Sequence, residues 1–400
     1  INGGKDWSRQ DNQPTAQFYR VNADMQFPYR IYGGQQDNTT IGILSQTHSK
    51  GIGVADYFDA GGGESAHIAF DEKDPRLIYA STINGTLTEL DTQTKKLRPI
   101  KPYPEYVYGQ MPKKPKYRTN WNAPVASSPH DPSIIYYGTD KLLMSNDRGV
   151  SWTEISDDLT RNDKSKQDKN GGPLTNEQVG AEFYGNIFYV VESRKEPGFI
   201  WTGSDDGLVY LTKDHGKTWT NITPKGLPET QINAIELSPH DKATAYIAAT
   251  SHKLNVFKPM IYKTSNYGKS WKRIDKGLPD DTFARVVRED TARAGLLYAG
   301  TEAGLFVSYD DGANWQSLRA NMPPVPITDL TMRHNKLVVA TEGRGFYILD
   351  DVATLRQLDR KAKGAKLTAY TPGTVKMTPA PWSWAKDVHA GSNPARGVNI

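Results

Sequence analysis

One eight-residue pattern recurs along the chain and limits what it can become. Ser or Thr is followed by any residue, Asp, any residue, Gly, two further residues and Trp. It stands as SNDRGVSW (Ser145 to Trp152), TKDHGKTW (Thr212 to Trp219) and SYDDGANW (Ser308 to Trp315). TSNYGKSW (Thr264 to Trp271) carries Asn266 in the Asp position, and NGGKDW (Asn2 to Trp7) is a fifth copy without its opening residues. Each component has a local task. The oxygens of Asp and Ser/Thr accept hydrogen bonds from turn N–H groups. Glycine reaches backbone angles closed to other residues. Tryptophan buries a large ring against a neighbour. An active site needs such a group once. Repetition therefore makes Asp147, Asp214, Asn266 and Asp310, with Trp152, Trp219, Trp271 and Trp315, structural turn residues rather than a row of catalytic acids.

A second element recurs more evenly. An apolar strand runs into a turn and a partner strand at RIYGGQQDN (Arg30 to Asn38), LIYASTINGTL (Leu77 to Leu87), IIYYGTDKLL (Ile134 to Leu143) and FIWTGSDDGL (Phe199 to Leu208). It returns at TAYIAATSHKL (Thr244 to Leu254), LLYAGTEAGL (Leu296 to Leu305) and KLVVATEGRGF (Lys336 to Phe346). The spacing, about 40 to 65 residues, suits one four-stranded propeller blade per hairpin with insertions. Most hairpins follow an Asp/Pro turn, as in FDEKDP, SSPHDP, ESRKEP and LSPHDK. His130-Asp131 and His240-Asp241 lie in these turns and read as turn chemistry, since histidine is replaceable there. The fold class that follows is all-β: a seven-bladed β-propeller of four-stranded antiparallel blades, with helix confined to long linkers. Thr354–Leu358 is expected as the outer strand of the last blade.

Composition narrows the function classes. The net charge of +4, from 49 basic and 45 acidic residues, leaves no nucleic-acid footprint. The short basic run Lys113 to Arg118 reads as a solvated loop. With no cysteine, disulfides, thiolate nucleophiles and thiolate metal sites are excluded. No apolar run is long enough to span a membrane. No cofactor motif and no metal site is visible.

Alternating strands send the variable hairpin turns and the blade-to-blade linkers to one face, and the repeated turns to the other. The first face carries long loops: Gly51–Ser65, Lys101–Trp121, Asp157–Asn186 and the turn Ser251–Pro259. Function concentrates on loops held by a rigid scaffold. Candidate catalytic carboxylates there are Asp37, Asp205, Glu302 and Glu342, since paired acids can work on a glycosidic bond. Candidate ligand-binding residues are Asn38, Glu64, Trp121, Asn122, Tyr184 and Arg344. Glu182 and Asp206 share the face, and Tyr106 and Tyr108 offer rings for stacking.

NQPTAQFYRV, FPYRIYGGQQDN, GGGES, NWNAP with SPHDP, WTNIT, RVVRED, GTEAGLFVS and TEGRGFYILDD resemble bacterial Asp-box, or BNR-repeat, proteins related to the Vps10/sortilin propeller. Such proteins are often labelled glycosyl hydrolases. The resemblance runs from about Gln13 to Asp351. It implies an exported propeller, periplasmic, cell-surface or secreted, that recognises a peptide, a glycan or another surface protein. The alternative it implies is a glycoside hydrolase acting on a polysaccharide. Sialidase propellers share the Asp box but use an arginine triad, and Arg344 is the one arginine the sequence places at the mouth.

The organisation expected is the end of a preceding blade or propeller at 1–12, the seven-bladed propeller at 13–358, and a linker into a following domain at 359–400. KAKGAK and PAPWSW mark the change of character after Leu358. Intact mass spectrometry of native material is expected to show a chain substantially heavier than 44.5 kDa. A native mass of that value with Ile1 at its terminus refutes the expectation.

Overall fold

The computed structural model describes residues 2–6, 15–49, 51–65, 67–171, 182–358, 367–374 and 390–394. Trp7, KAKGAK and PAPWSW lie outside them.

Seven antiparallel sheets follow one another as blades, and all seven expected hairpins supply the second strand of one. These strands are Arg30–Gly34, Leu77–Thr82, Ile135–Gly138, Ile200–Ser204, Ala245–Ser251, Leu297–Thr301 and Lys336–Thr341. They are buried on both faces because each blade packs between two others, so they read as apolar runs rather than as alternation. Tyr136, Trp201, Tyr246 and Tyr298 are among the largest fully buried side chains, and the hydrophobic clusters lie mostly between successive blades.

Two blades depart from the expected plan. In blade one the outer strand is Tyr57–Asp59, inside the segment read as a linker. Residues 45–56 therefore belong to the repeated-turn face, and only the stretch from Ala60 to Ser65 faces the long loops. Gly51–Ile52 in that connection pairs with Gly391–Ser392. In blade seven the sheet has three strands among the described residues, and Ala353–Gln357 is a short α-helix, not an outer strand. The run from Leu349 to Val352 contains no repeated turn to send the chain back along the sheet. Val352 is instead fully buried, and with Leu355 it joins the cluster that holds Leu318 of blade six. Short 3-10 turns also occur in hairpin turns, at Ile83–Gly85 and His252–Leu254, so helical structure is not restricted to linkers.

The ring closes between blades seven and one. Phe18 stacks on Phe346 at 3.8 Å between centroids, the Phe18 N–H donates to the Thr341 carbonyl at 3.0 Å, and the Ala16 carbonyl accepts from Gly343 and Gly345. Arg333 of blade seven donates to the Ala23 carbonyl at 2.5 Å and pairs with Glu72 of blade two.

The repeated turns staple four blades, three to six, each to the one before it. In the first full copy, Asp147 Oδ1 accepts from Ser145 Oγ and from the Ser151 N–H, and Ser145 Oγ accepts from the Gly149 N–H. The Ser151 hydroxyl donates to Asp147 Oδ2, and this bond first, then those from the Ser151 N–H and Ser145, hold the Asp147 carboxyl down at about 2. Asn266 keeps the geometry: its Oδ1 takes the same two bonds, and its amide donates to Ser270 Oγ at 2.8 Å. Asn2 does the same with the Asp6 N–H and carboxylate. The tryptophans of the four full copies then donate their indole N–H groups to isoleucine carbonyls of the preceding blades. Trp152 bonds Ile100 at 3.0 Å, Trp219 bonds Ile155 at 2.8 Å, Trp271 bonds Ile222 at 2.7 Å and Trp315 bonds Ile274 at 2.6 Å. The same isoleucines press on the turn glycines. A Cβ on Gly149 would sit 2.8 Å from the Ile100 Cβ, and one on Gly312 2.6 Å from the Ile274 Cδ1, at φ of +76° and +79°. Glycine is needed there for both space and backbone angle.

Trp315 is the one fully buried ring of these four; Trp152, Trp219 and Trp271 are half-buried. Trp315→Ala is expected to cost about 3–5 kcal/mol. Trp315→Phe keeps most of the ring but strands the Ile274 carbonyl, at about 1–3 kcal/mol. Val150→Ala, at an exposed position of the same motif, is expected to stay within about 0.5 kcal/mol. Equilibrium denaturation of the three variants checks the order.

Candidate functional site

Irregularity concentrates where the inner strands leave the long-loop face. Their ladders carry one extra residue at Phe188, Asn233, Arg285 and Thr328, seen as register shifts between Ile187/Tyr189, Ile232/Ala234, Ala284/Val286 and Ile327/Asp329. Bulges of this kind re-aim side chains, and here they recur at the mouth end of four successive blades.

Three side-chain clusters surround the mouth. The first joins blades one to three. Gln36 Nε2 donates to Glu64 at 2.7 Å and to Asp37 at 3.0 Å, the Asp37 N–H donates to Glu64 at 2.9 Å, and Tyr19 donates to Gln36. Trp121 donates its indole N–H to the Tyr19 oxygen at 3.2 Å. Burial pushes the Tyr19 phenol up to about 12, and the carboxylates of Glu64, Glu182 and Glu342 add to the shift. Three acids from different parts of the ring thus face one tyrosine. Asp37 itself is exposed in a left-handed turn at φ 54°, and Asn38 beside it is exposed.

The second cluster spans blades six and seven. Arg285 donates from Nε and Nη2 to Glu302 and from the same Nη2 to Glu342, at 2.8 and 2.7 Å for the Nη2 bonds. Phe283 backs the guanidinium at 5.1 Å and stacks on His252 at 4.6 Å. Arg285 was not among the residues expected at the mouth. Arg344, the expected one, is exposed and bonds here through its backbone N–H to Thr341.

The third cluster lines a shallow cleft between the loops of blades three, four and five. Asn120, Glu182, Tyr184, Asp205, Glu229, Gln231, His252 and Lys253 form its walls. Glu229 accepts from Tyr184 and Lys166, and Glu182 pairs with Lys253 at 3.0 Å. Asp205 lies beneath. Its oxygens accept from the Gly185 and Asn186 N–H groups at 3.0 and 2.8 Å and from the amides of Asn120 and Asn186. Burial, and then the Asp206 carboxylate, push Asp205 upward against these donors. Asp206 is itself raised by burial, while Ser204 and the Arg161 N–H hold it. The pair orders the floor of the cleft. Asn122 is buried beside it, its N–H donating to Asn120 Oδ1.

The basic run is not a simple solvated loop. Arg118 is 6 % exposed and ties the linker to Asp158, the Gly185 carbonyl and Asp140, while Lys116 lies over the rings of Tyr103 and Tyr117. Tyr106 and Tyr108 stack on one another in an exposed part of that linker. On the opposite face, His130 and His240 bond the Ser193 and Asp290 carbonyls of the next blade, at 2.6 and 2.7 Å. Among the described residues no group of three His, Asp or Glu side chains is placed to hold a metal ion, and no helix is long and apolar enough to cross a membrane.

Burial, followed by the charges of Arg285 and Lys253, lowers His252 to about 4. Its folded value lies below the unfolded one of about 6.5. The unfolded chain then binds more protons across that window, so stability is expected to fall as pH drops from about 6.5 towards 4. His252→Phe should flatten this part of the profile. NMR titration of the His252 ring and denaturation against pH test both statements.

No family model matches the chain. An oligoxyloglucan-reducing end-specific xyloglucanase from Emericella nidulans is 23 % identical over 248 residues, 61 % of this chain and 28 % of that protein. A vacuolar protein sorting/targeting protein 10 from Laccaria bicolor is 30 % identical over 105 residues, 26 % of this chain and 6 % of that one. Among solved structures, the GH74 xyloglucanase from Xanthomonas campestris superposes with a TM-score of 0.59 at 15 % identity, covering 84 % of this chain and 52 % of that one. The chain thus spans about half, or less, of the xyloglucanases it matches. Its seven blades and these distant likenesses, to proteins described as xyloglucanases and to a Vps10 protein, fit a BNR/Vps10-like propeller.

Proposed function

We propose that the long-loop face binds a neutral glycan, and that the chain serves outside the cytoplasm as a binding or scaffold propeller. The cleft between blades three and five carries this reading. Its walls present carboxylates, amides and a tyrosine that the scaffold already orients. Sugar hydroxyls donate and accept at once, which suits carboxylates and amides set side by side. The ion pairs Glu229–Lys166 and Glu182–Lys253 balance charge at the rim, which favours an uncharged ligand over an ionic one. The likeness to proteins named as xyloglucanases supports the same ligand class.

A hydrolase reading has one observation in its favour. Glu302 and Glu342 each place an oxygen within hydrogen-bond distance of the same Arg285 nitrogen, so those oxygens lie no more than about 5.5 Å apart, too close for an inverting pair and meeting the separation of a retaining pair only near that limit. The arginine between them fits a structural clamp better than an acid and a base poised on opposite sides of a sugar.

A glycan and peptide array on the purified chain is expected to select neutral polysaccharide fragments. Asn120→Ala and Lys253→Ala should weaken binding by about tenfold each, roughly the loss of one good hydrogen bond. Glu342→Ala should leave that binding intact. Peptide-only binding, or binding insensitive to the cleft variants, refutes the proposal. Release of reducing sugar from xyloglucan, abolished by Glu302→Gln or Glu342→Gln, would establish the hydrolase instead.

A further inference from the structure

The axis of the ring carries charge that the mouth does not use. Arg20 comes from blade one, where the ladder gains a residue between the pairs Phe18↔Gln35 and Asn22↔Tyr32. Its guanidinium carbon lies 5.1 Å from the Phe188 ring centroid and 5.6 Å from that of Tyr189, both on blade four. Blades one and four are not neighbours, so these contacts cross the central channel. His67, just before the inner strand of blade two, meets the Tyr189 ring edge-on at 6.3 Å. Arg288 of blade six donates to the Tyr189 hydroxyl at 3.1 Å. Four blades meet on the axis around one tyrosine.

Hydrogen-bond accounting leaves donors over at this point. Arg20 is 5 % exposed, and its Nε and Nη1 have no acceptor among the described residues; His67 is 9 % exposed, and its Nε2 is likewise unpartnered. Asp329, the acid whose charge Arg20 feels most, is committed elsewhere. Its Oδ1 accepts from Arg288 at 2.8 Å and from the Leu330 N–H at 2.9 Å, and its Oδ2 accepts from the Val21 N–H at 3.2 Å. Burial and the Arg20 charge hold His67 well below the usual histidine range, so its ring is neutral and can present an Nε2–H. A buried guanidinium without a contacting anion is costly. Water would satisfy N–H groups there but brings no countercharge.

We propose that the channel binds a small inorganic anion of the chloride class between Arg20 and His67, on the axis. The anion accepts from Arg20 and from His67 Nε2–H, and it puts a negative charge in contact with Arg20, to which Asp329 makes no hydrogen bond. More than nine-tenths burial of both residues restricts the site to an ion of a few ångströms. The site is separate from the glycan cleft and does not rest on it.

The full chain tests this in two ways. Crystals soaked in sodium bromide should show an anomalous peak within hydrogen-bond reach of Arg20 and His67. In solution, replacing gluconate by chloride at constant ionic strength should raise the thermal midpoint of the parent. Arg20→Met should need at least about tenfold more chloride for the same rise. If Arg20→Met fails to fold, His67→Phe takes its place with a weaker effect in the same direction. Bromide confined to the outer surface overturns the proposal, as does equal chloride dependence in parent and variant.

Discussion

The indole-to-carbonyl bond between successive blades is the interaction on which the ring most depends. A propeller has no single core; it has a series of interfaces, each closed by the next blade. Four of those interfaces end in the same unit, a tryptophan N–H on an isoleucine carbonyl and an isoleucine side chain on a glycine. The Asp, or Asn, does not reach the neighbour. It shapes the turn so that the tryptophan can. This separates the motif into a part that folds its own hairpin and a part that reads the previous blade. In blade seven, which has no such unit, a short helix takes the space: Val352 packs in the apolar cluster, Arg356 pairs with Asp290, and Arg293 donates to the carbonyls of Leu355, Arg356 and Leu358.

The mouth is governed by a different economy of interactions. Nearly every acid there already has a donor: Glu64 has Gln36, Glu229 has Lys166 and Tyr184, and Glu302 and Glu342 share Arg285. Such pairing fixes loop positions before any ligand arrives and lowers the entropy lost on binding.

Much of the ring was legible in the sequence because it is local and repeated. The second strands are short apolar runs between turn residues, and the tryptophan turns mark where third strands end. Blade one hid its outer strand because its connection is longer and lacks the motif. Thr354–Leu358 was expected to extend because the blade plan calls for a fourth strand; the helix formers Ala353, Leu355, Arg356 and Gln357 behind Asp351 were the signal against it. The mouth was legible as a face but not as a site. Asp37, Asp205, Glu302 and Glu342 lie on it, yet only Glu302 and Glu342 come together, on Arg285, while Asp37 and Asp205 lie in two other clusters and Asp205 orders backbone. Arg285, Tyr19 and His252 were missed because their position depends on bulges and on blades far apart in sequence. A charged residue at the start of a predicted inner strand, as in ARVVRED, was the available signal for Arg285.

The residue after the Asp or Asn in each full copy of the motif sits in the left-handed region, at Arg148, His215, Tyr267 and Asp311. These four positions share a backbone angle but not a chemistry. Arg148 reaches back to Glu89, Tyr267 bonds Glu196, and Asp311 receives Tyr246 and Lys263. Seven similar blades synthesised in series can dock in the wrong order while the chain is incomplete. A swap would set an arginine against a lysine, or leave an aspartate facing a glutamate, and would be rejected as like charges meet. In these four blades the backbone repeat fixes the shape of the turn, while the residue at this position differs and gives each its own contact.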